Sequence, residues 1–269
     1  MTRPALSILM PSYNAGSFLR EAVTSAVSQL GDHDELLVQD GRSGDGSIEA
    51  LADAFCADPR IKIVSEPDSG QSDALQRALE RALNPHFGWL NADDIYYPGA
   101  LDAVRRILAE QPCADVVYGS ATIFADGDRI IRRVVPAEFS VRALLRHGCH
   151  VFSGATFART ELVRAVGGFN RNLHYAMDFD LFFRIAAQTD RCVRVADTLG
   201  GLRWHEASKS GSVTLPFFKE AARIRLEYAS SPRERLQICG QLGRRLVGVP
   251  LIPVRNSRAF SRLRGVKTY

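Results

Sequence analysis

Hydrophobic positions along the first hundred residues switch repeatedly between two periods. Residues 5–10 are an apolar run broken only by Ser7, after which Leu19, Ala22, Val23, Ala26, Val27 and Leu30 recur at helical spacing. This pattern predicts a strand and then an amphipathic helix. Residues 36–38 lead into Asp40-Gly41, and Ile48, Leu51, Ala52 and Phe55 share one helical face. A third strand is expected over residues 61–64, a third helix over Ala74, Leu75, Ala78, Leu79, Ala82 and Leu83, and a fourth strand over residues 87–90. Strands alternating with helices of this length imply crossover connections and a parallel sheet with helices on its faces. Ligands of such sheets lie beyond the carboxyl ends of the strands. The polar stretches 11–14, 40–46, 66–73 and 91–94 each follow a strand and are therefore expected on one edge.

Beyond residue 115 the pattern is less regular. Short strands are expected at 116–118, 130–135 and 156–158, and a short helix from Thr160 that Gly167-Gly168 closes, since glycine tolerates a left-handed C-terminal position. A further helix begins near Asp178 and carries Leu181, Phe182, Ile185 and Ala186. From Leu215 the chain reads as helix and then as a basic, proline-broken tail, with no internal repeat or low-complexity segment.

Composition narrows the class. With 269 residues, 46% hydrophobic and 24% charged, the chain is an ordinary globular protein rather than a collagen, a disordered tail or a disulfide scaffold. Cys56, Cys113, Cys149, Cys192 and Cys239 form no CxxC pair, so free buried thiols in a reducing compartment are expected. The six apolar residues before Pro11 are too few for a secretory core, and no apolar run reaches transmembrane length; a cytosolic location is the expectation. The net charge of +4 hides an asymmetry: residues 233–269 carry nine basic side chains against Glu234 alone, leaving the rest net acidic. The tail, not the body, is expected to meet an anionic surface.

Four clusters could carry chemistry. Asn91-Ala92-Asp93-Asp94 ends an apolar run, where a carboxylate is costly unless paired, solvated or metal-bound. Such oxygens suit Mg2+ or Mn2+, which commonly takes one or two carboxylates plus ligand phosphates; Asp93 or Asp94 could equally cap a helix starting near Pro98. Asp40 could accept a hydrogen bond from a pyrimidine imide or a ribose hydroxyl, or belong to an Asp-Gly turn. The GRSGDGS run after it is neither GxGxxG nor a P-loop. Asp178 and Asp180 open a helix whose dipole alone favours acids, or one of them is a general base. Residues 204–210 gather His205, Lys209 and hydroxyls able to hold metal or phosphate, whereas His33, His86, His147, His150 and His174 have no metal-binding spacing.

Taken in order, SILMPSYNAGSFLREAVTSAVSQ, LLVQDGRSGDGS, EPDSGQSDALQRAL, GWLNADDIYYPGAL, GATFARTELVRAVGGFN, YAMDFDLFFRIA and then HEASKS resemble the family 2 glycosyltransferases. These are nucleotide-sugar-dependent enzymes of the GT-A fold, and the nearest branch is the bacterial one that builds O-antigen and other surface polysaccharides. The resemblance implies an α/β, Rossmann-like, mostly parallel sheet with helices on both faces. It implies a transferase domain over residues 1–215, with a nucleotide-sugar half (1–95) and an acceptor half (96–215), and a basic helical extension over 216–269. By the same resemblance Pro11, Ser12, Tyr13, Asn14, Asp40, Gly70, Gln71, Asp73, Asn91, Ala92 and Lys209 hold the nucleotide sugar, Asp93 and His205 hold a divalent metal, and Asp178 is the base. The implied reaction is inverting, with Mn2+ or Mg2+, a UDP or dTDP donor rather than GDP, and a saccharide or lipid-linked acceptor.

Three departures from the family pattern stand out. Asn91 replaces the first acid of the usual DxD, Asp40 is followed by Gly41 rather than preceded or followed by a second acid, and Met177 replaces the glutamate of the usual ED pair. The tail adds nine uncharged residues, 246–254, flanked by arginines; this length suits an interfacial position on a membrane, or packing of a basic helix on the body. A transferase to a polyprenyl phosphate, which needs no base, and a non-catalytic nucleotide-sugar-binding component are the alternatives. Nucleic-acid binding is not expected, because the tail offers only Phe260 and Tyr269 for stacking.

Overall fold

A computed structural model describes residues 3–125, 129–205 and 215–248. Its elements run β1 (Leu6–Ser12), α1 (Phe18–Val27), β2 (Glu35–Asp40), α2 (Ser47–Phe55), β3 (Ile61–Ser65), α3 (Gln71–Arg81), β4 (His86–Trp89), β5 (Ile95–Tyr96) and α4 (Ala100–Glu110). They continue with β6 (Val116–Ala125), β7 (Arg129–Val134), α5 (Val141–His147), β8 (Thr156–Arg159), α6 (Thr160–Ala165), α7 (Met177–Ala186), β9 (Cys192–Arg203), α8 (Leu215–Tyr228) and α9 (Pro232–Gly248). Contacts divide the chain into two units, Met1–His205 and Glu206–Tyr269. In the second, α8 and α9 pack on each other and Arg225 Nη1 donates to Gln241 Oε1 at 2.8 Å. No helix among the described residues is long and apolar enough to cross a membrane.

One sheet organises the first unit, in the order β3-β2-β1-β4-β8-β6-β9-β5, with β7 paired to β6. β1 to β4 are mutually parallel, and β8 runs against both β4 and β6, so β4, β6 and β9 share the direction of β1. Their carboxyl ends form one rim. All seven residues of β1 are buried, as expected of a strand covered on both faces. Leu6, Ile8 and Met10 pack with Leu19 and Val23 of α1, Leu51 of α2 and Val104 of α4; each such burial contributes about 2 kcal/mol. Chain order reverses between β1 and β4, the switch point at which open α/β sheets form their crevice.

Two expectations are corrected here. The third helix stops at Arg81 and Leu83 is 78% exposed, because Ala82 turns extended ahead of Asn84-Pro85 and Leu83 N donates to Glu35 Oε1 at 2.7 Å. The five cysteines are free, but Cys56, Cys113, Cys149 and Cys239 are exposed and only Cys192 is half-buried. The first three follow helices α2, α4 and α5, outside their apolar faces.

β9 has no counterpart in the sequence reading. It pairs with β6 along most of its length, and Gly200 and Gly201 make that possible. A Cβ on Gly200 would lie 2.4 Å from Gly154 O, and one on Gly201 would lie 2.9 Å from Phe124 Cε1. The strand delivers Arg203 and His205 to the rim.

Candidate active site

The rim opens with two interlocked loops. At the end of β1, Pro11 and Ser12 are buried, and Tyr13, the next residue, is 68% exposed. Asn14, at φ +47°, takes a hydrogen bond from Gly44 N on its Oδ1 (3.0 Å) and donates its own N–H to Ser43 Oγ (2.7 Å). Asp40 is wholly buried: its carboxylate accepts from Ser43 N (2.8 Å), Ser43 Oγ and Ser65 Oγ (2.7 Å). Asp40 thus holds the loop that in turn holds Asn14. Ser12 Oγ is buried with no hydrogen-bond partner, a polar atom that a ligand could satisfy.

The 66–73 loop forms the neighbouring wall. Asp73, expected at the donor, is buried and accepts from Ser69 N (3.0 Å) and Arg77 Nη2 (2.9 Å), with Arg171 Nε 3.2 Å away; burial raises its pKa, but the Ser69 N–H bond and then the two arginines hold the carboxyl below the usual range. It anchors this loop to α3. Gly70 has φ +118°, a conformation a side chain would strain, and its N–H donates to Asp68 Oδ1 at 2.8 Å. Asp68 lies within the EPDSGQSDALQRAL stretch, but it was not singled out as Gly70, Gln71 and Asp73 were. Its carboxylate lies 3.0 Å from where a Cβ on Gly41 would stand, beside the Tyr13 ring, and burial raises its pKa with help from Asp73 and Asp40.

The Asn91–Asp94 turn divides its duties. Asn91 Oδ1 accepts from Gln71 Nε2 (2.7 Å) and Trp89 Nε1 (2.8 Å), and its amide donates to Asp94 Oδ2 (2.8 Å). Both lone pairs of that oxygen are committed, so Asn91 is a strut between α3 and β4 and not a metal ligand. Ala92 is packed into the core. Asp94 is 2% exposed, accepts from Arg203 N at 3.0 Å, and is driven well above the usual carboxylate range by burial and then by Asp93. Neither acid caps the following helix, whose N-cap is Gly99. Asp93 is the open member: its side chain is 31% exposed and its Oδ2 lies 3.1 Å from His205 Nε2.

Arg203 builds that pair. Its guanidinium is held between the rings of Phe18 (4.9 Å) and Phe124 (4.6 Å), its Nε donates to Asp93 O (3.0 Å), and Nη2 pairs with Glu21 Oε2 at 2.6 Å. The His205 ring lies 4.9 Å from the same Phe18. A carboxylate and an imidazole converging on one point suit a divalent cation that takes its remaining ligands from phosphate and water. Among the described residues no third His, Cys, Asp or Glu joins them. Lys209, with the rest of residues 206–214, lies outside the described residues.

The first turn of α7 completes the rim. α7 leads back to the start of β9 at the opposite edge, so its N-terminus faces the same side as the strand ends. Asp180 is buried and ion-paired with Arg184 (Nη2 2.6 Å, Nε 2.9 Å). Asp178 is half-buried, takes Phe179 N on Oδ1 (2.7 Å) and receives the Cys149 thiol on Oδ2 at 3.6 Å. The loop before it reaches α3, where Ser72 Oγ donates to Leu173 O and His174 Nδ1 lies 3.7 Å from the position of a Cβ on Gly70. Through Gln71 and Asn91 this contact ties the α7 loop to the Asp93 turn.

The Asp93–His205 pair thus lies at the carboxyl ends of the strands, the edge at which open α/β sheets take their ligands. Residues 7–167 match the description "Glycosyl transferase family 2", and the chain belongs to that family. Similar proteins include an uncharacterized glycosyltransferase of Rickettsia felis (29% identical; 68% of this chain, 31% of that one) and the chondroitin synthase of Pasteurella multocida (26%; 68% and 19%). The putative teichuronic acid biosynthesis glycosyltransferase TuaG of Bacillus subtilis is 32% identical over 46% of this chain and 50% of its own. The matched part thus spans under a third of the first two relatives. Among solved structures, S. aureus TarS 1-349 in complex with UDP-GlcNAc has a TM-score of 0.68 at 17% identity, covering 98% of this chain and 76% of that one. The Pyrobaculum calidifontis mannosyltransferase PcManGT, with GDP-Man and Mn2+, reaches 0.62 at 18%, covering 98% and 79%. These likenesses establish the GT-A fold.

Proposed function

We propose that this chain is an inverting, metal-dependent glycosyltransferase that moves a sugar from a nucleoside diphosphate, UDP or dTDP, onto a saccharide or lipid-linked saccharide in surface polysaccharide synthesis. The observation that carries the reading is the pairing of Asp93 with His205 on the same rim as the half-buried Asp178. Asp93 and His205 would hold Mn2+ or Mg2+, which when bound neutralises charge on the departing diphosphate. Ser12, Tyr13, Asn14 and the loops held by Asp40 and Asp73 form the nucleoside wall, with Gly70 and Gln71 beside it. Asp178 accepts the proton of the attacking acceptor hydroxyl. Attack from the face opposite the leaving diphosphate inverts the anomeric carbon. Relatives named for chondroitin and teichuronic acid, and a fold shared with a UDP-GlcNAc complex, support this choice of donor and product class. The enzyme would work at the cytoplasmic face of the inner membrane, with Lys209 and the basic tail engaging diphosphate and lipid respectively.

The test is Mn2+-dependent consumption of UDP- and dTDP-sugars by the full chain, with Asp178→Asn and Asp93→Ala beside the wild type. Loss in both variants is expected. Full activity in Asp178→Asn would shift the acceptor to a polyprenyl phosphate, and activity unchanged in Asp93→Ala would remove the assigned metal site.

A further inference from the structure

β7 is an edge strand whose composition does not fit an idle edge. Among the described residues it pairs only with β6, and along it Arg129, Ile130, Ile131, Arg132 and Arg133 are all exposed, followed by exposed Val135. Ile130 is 59% exposed, Ile131 49% and Val135 63%; of the seven large exposed hydrophobic residues among the described residues, these three fall within six positions. Pairing with β6 is interrupted by a bulge, Phe124 standing opposite Ile130 and Ile123 opposite Arg132, so Ile131 is the extra residue and strict alternation of faces does not hold across it. Among the described residues, Arg129, Arg132 and Arg133 make no ion pair. Over residues 126–147, five arginines stand against Asp126, Asp128 and Glu138, a basic excess within an otherwise acidic body.

Arginines on an edge also serve to block pairing with another chain, but that task needs charge alone and gives no reason for outward aliphatic side chains. Position matters as well. Phe124 of β6 is the register partner of Ile130 on one side and of Arg203 on the other, so Ile130 lies two strands, roughly 10 Å, from the residue that builds the Asp93–His205 pair. The strand begins at the rim of the candidate site.

We propose that β7 is a membrane-docking strand that seats the rim of the crevice on an anionic lipid bilayer, with Arg129, Arg132 and Arg133 at the headgroups and Ile130, Ile131 and Val135 entering the interface. Interleaved arginine and branched aliphatic side chains match such a surface: the cations meet acidic headgroups while the aliphatics leave water. A soluble acidic polymer would be met by the arginines without use for the isoleucines.

The experiment is vesicle co-sedimentation of the full chain with neutral phosphatidylcholine and with phosphatidylcholine containing about 30% phosphatidylglycerol, a composition that presents an anionic surface. Three variants accompany the wild type: Arg129→Gln/Arg132→Gln/Arg133→Gln, Ile130→Ser/Ile131→Ser, and a tail variant, Arg255→Gln/Arg258→Gln/Arg262→Gln/Arg264→Gln. Wild type should sediment with anionic vesicles only. The arginine variant should bind roughly 10- to 100-fold more weakly and the isoleucine variant roughly 10-fold more weakly, each with the tail intact. Melting temperatures within a few degrees of wild type, as expected for exposed positions, keep the comparison valid. Unchanged binding in the arginine variant, or binding lost only in the tail variant, overturns the proposal. Weakening by the arginine changes but not by the isoleucine changes points to a soluble polyanion and overturns it as well.

Discussion

The Asp93–Asp94 turn after β4 and the Asp178–Asp180 turn of α7 solve one problem in the same way. Each offers two carboxylates, and each commits one of them to the fold. Asp94 is buried under Arg203 N and Asn91, and Asp180 is buried against Arg184, whereas Asp93 and Asp178 stay partly open. The two differ in how the inner acid is stabilised. Asp180 has a cation and is a structural ion pair; Asp94 accepts hydrogen bonds from an amide and a backbone N–H, and burial with the neighbouring Asp93 drives it toward the neutral form. An acidic dipeptide or near-dipeptide in this fold is thus a pair of unlike groups, and burial decides which one is available for chemistry.

That division can be broken one carboxylate at a time. The largest effect is expected for Asp93→Ala, which should lower Mn2+-dependent donor turnover roughly 10³-fold, about 4 kcal/mol of transition-state stabilisation. Asp178→Asn should lower turnover about 10²- to 10⁴-fold while leaving nucleotide affinity unchanged, a split that initial-rate kinetics alongside calorimetric titration would reveal. Asp180→Asn should instead act on the fold, costing about 2 kcal/mol in urea unfolding through the uncompensated Arg184, with turnover within a few-fold of wild type. The smallest effect is a pH dependence at Asp94. Because the folded pKa of Asp94 is raised, its contribution to stability is full below the unfolded value of about 4 and is lost as pH rises through the folded value. Relative to wild type, Asp94→Asn should therefore gain stability as pH rises above the unfolded value of about 4, which urea unfolding across a pH series would show.

Much of this architecture is legible in the sequence. Periodic apolar residues locate β1 to β4 and α1 to α3, because a strand buried on both faces and an amphipathic helix each leave a strong signature. β9 was not legible: its glycine pair and Asp197 interrupt any alternation, and only the close approach of Gly154 and Phe124 explains why glycine is needed there. The motifs brought Asp93, His205 and Asp178 forward, and the structure joins the first two directly. Asp40 and Asp73 came forward with them, but their bonds to Ser65 and Arg77 were not legible, since a motif records that an acid is present and not what it is bonded to. Asp68 lies in the EPDSGQSDALQRAL stretch, but its place beside Tyr13 was not legible, because it depends on the turn at Gly70 and on the missing side chain at Gly41. Nor did the net charge of the body reveal β7, whose arginines are outweighed in the sum by acids elsewhere.

The central claim is that Asp93 holds a metal through which a nucleoside diphosphate is bound. Thermal unfolding with UDP, dTDP, GDP and CMP, each with and without Mn2+, on wild type and Asp93→Ala tests it directly. The account predicts that UDP or dTDP raises the melting temperature of the wild type only when Mn2+ is present, and that the shift vanishes in Asp93→Ala. A nucleotide shift that is independent of Mn2+, or one that survives in Asp93→Ala, would contradict it.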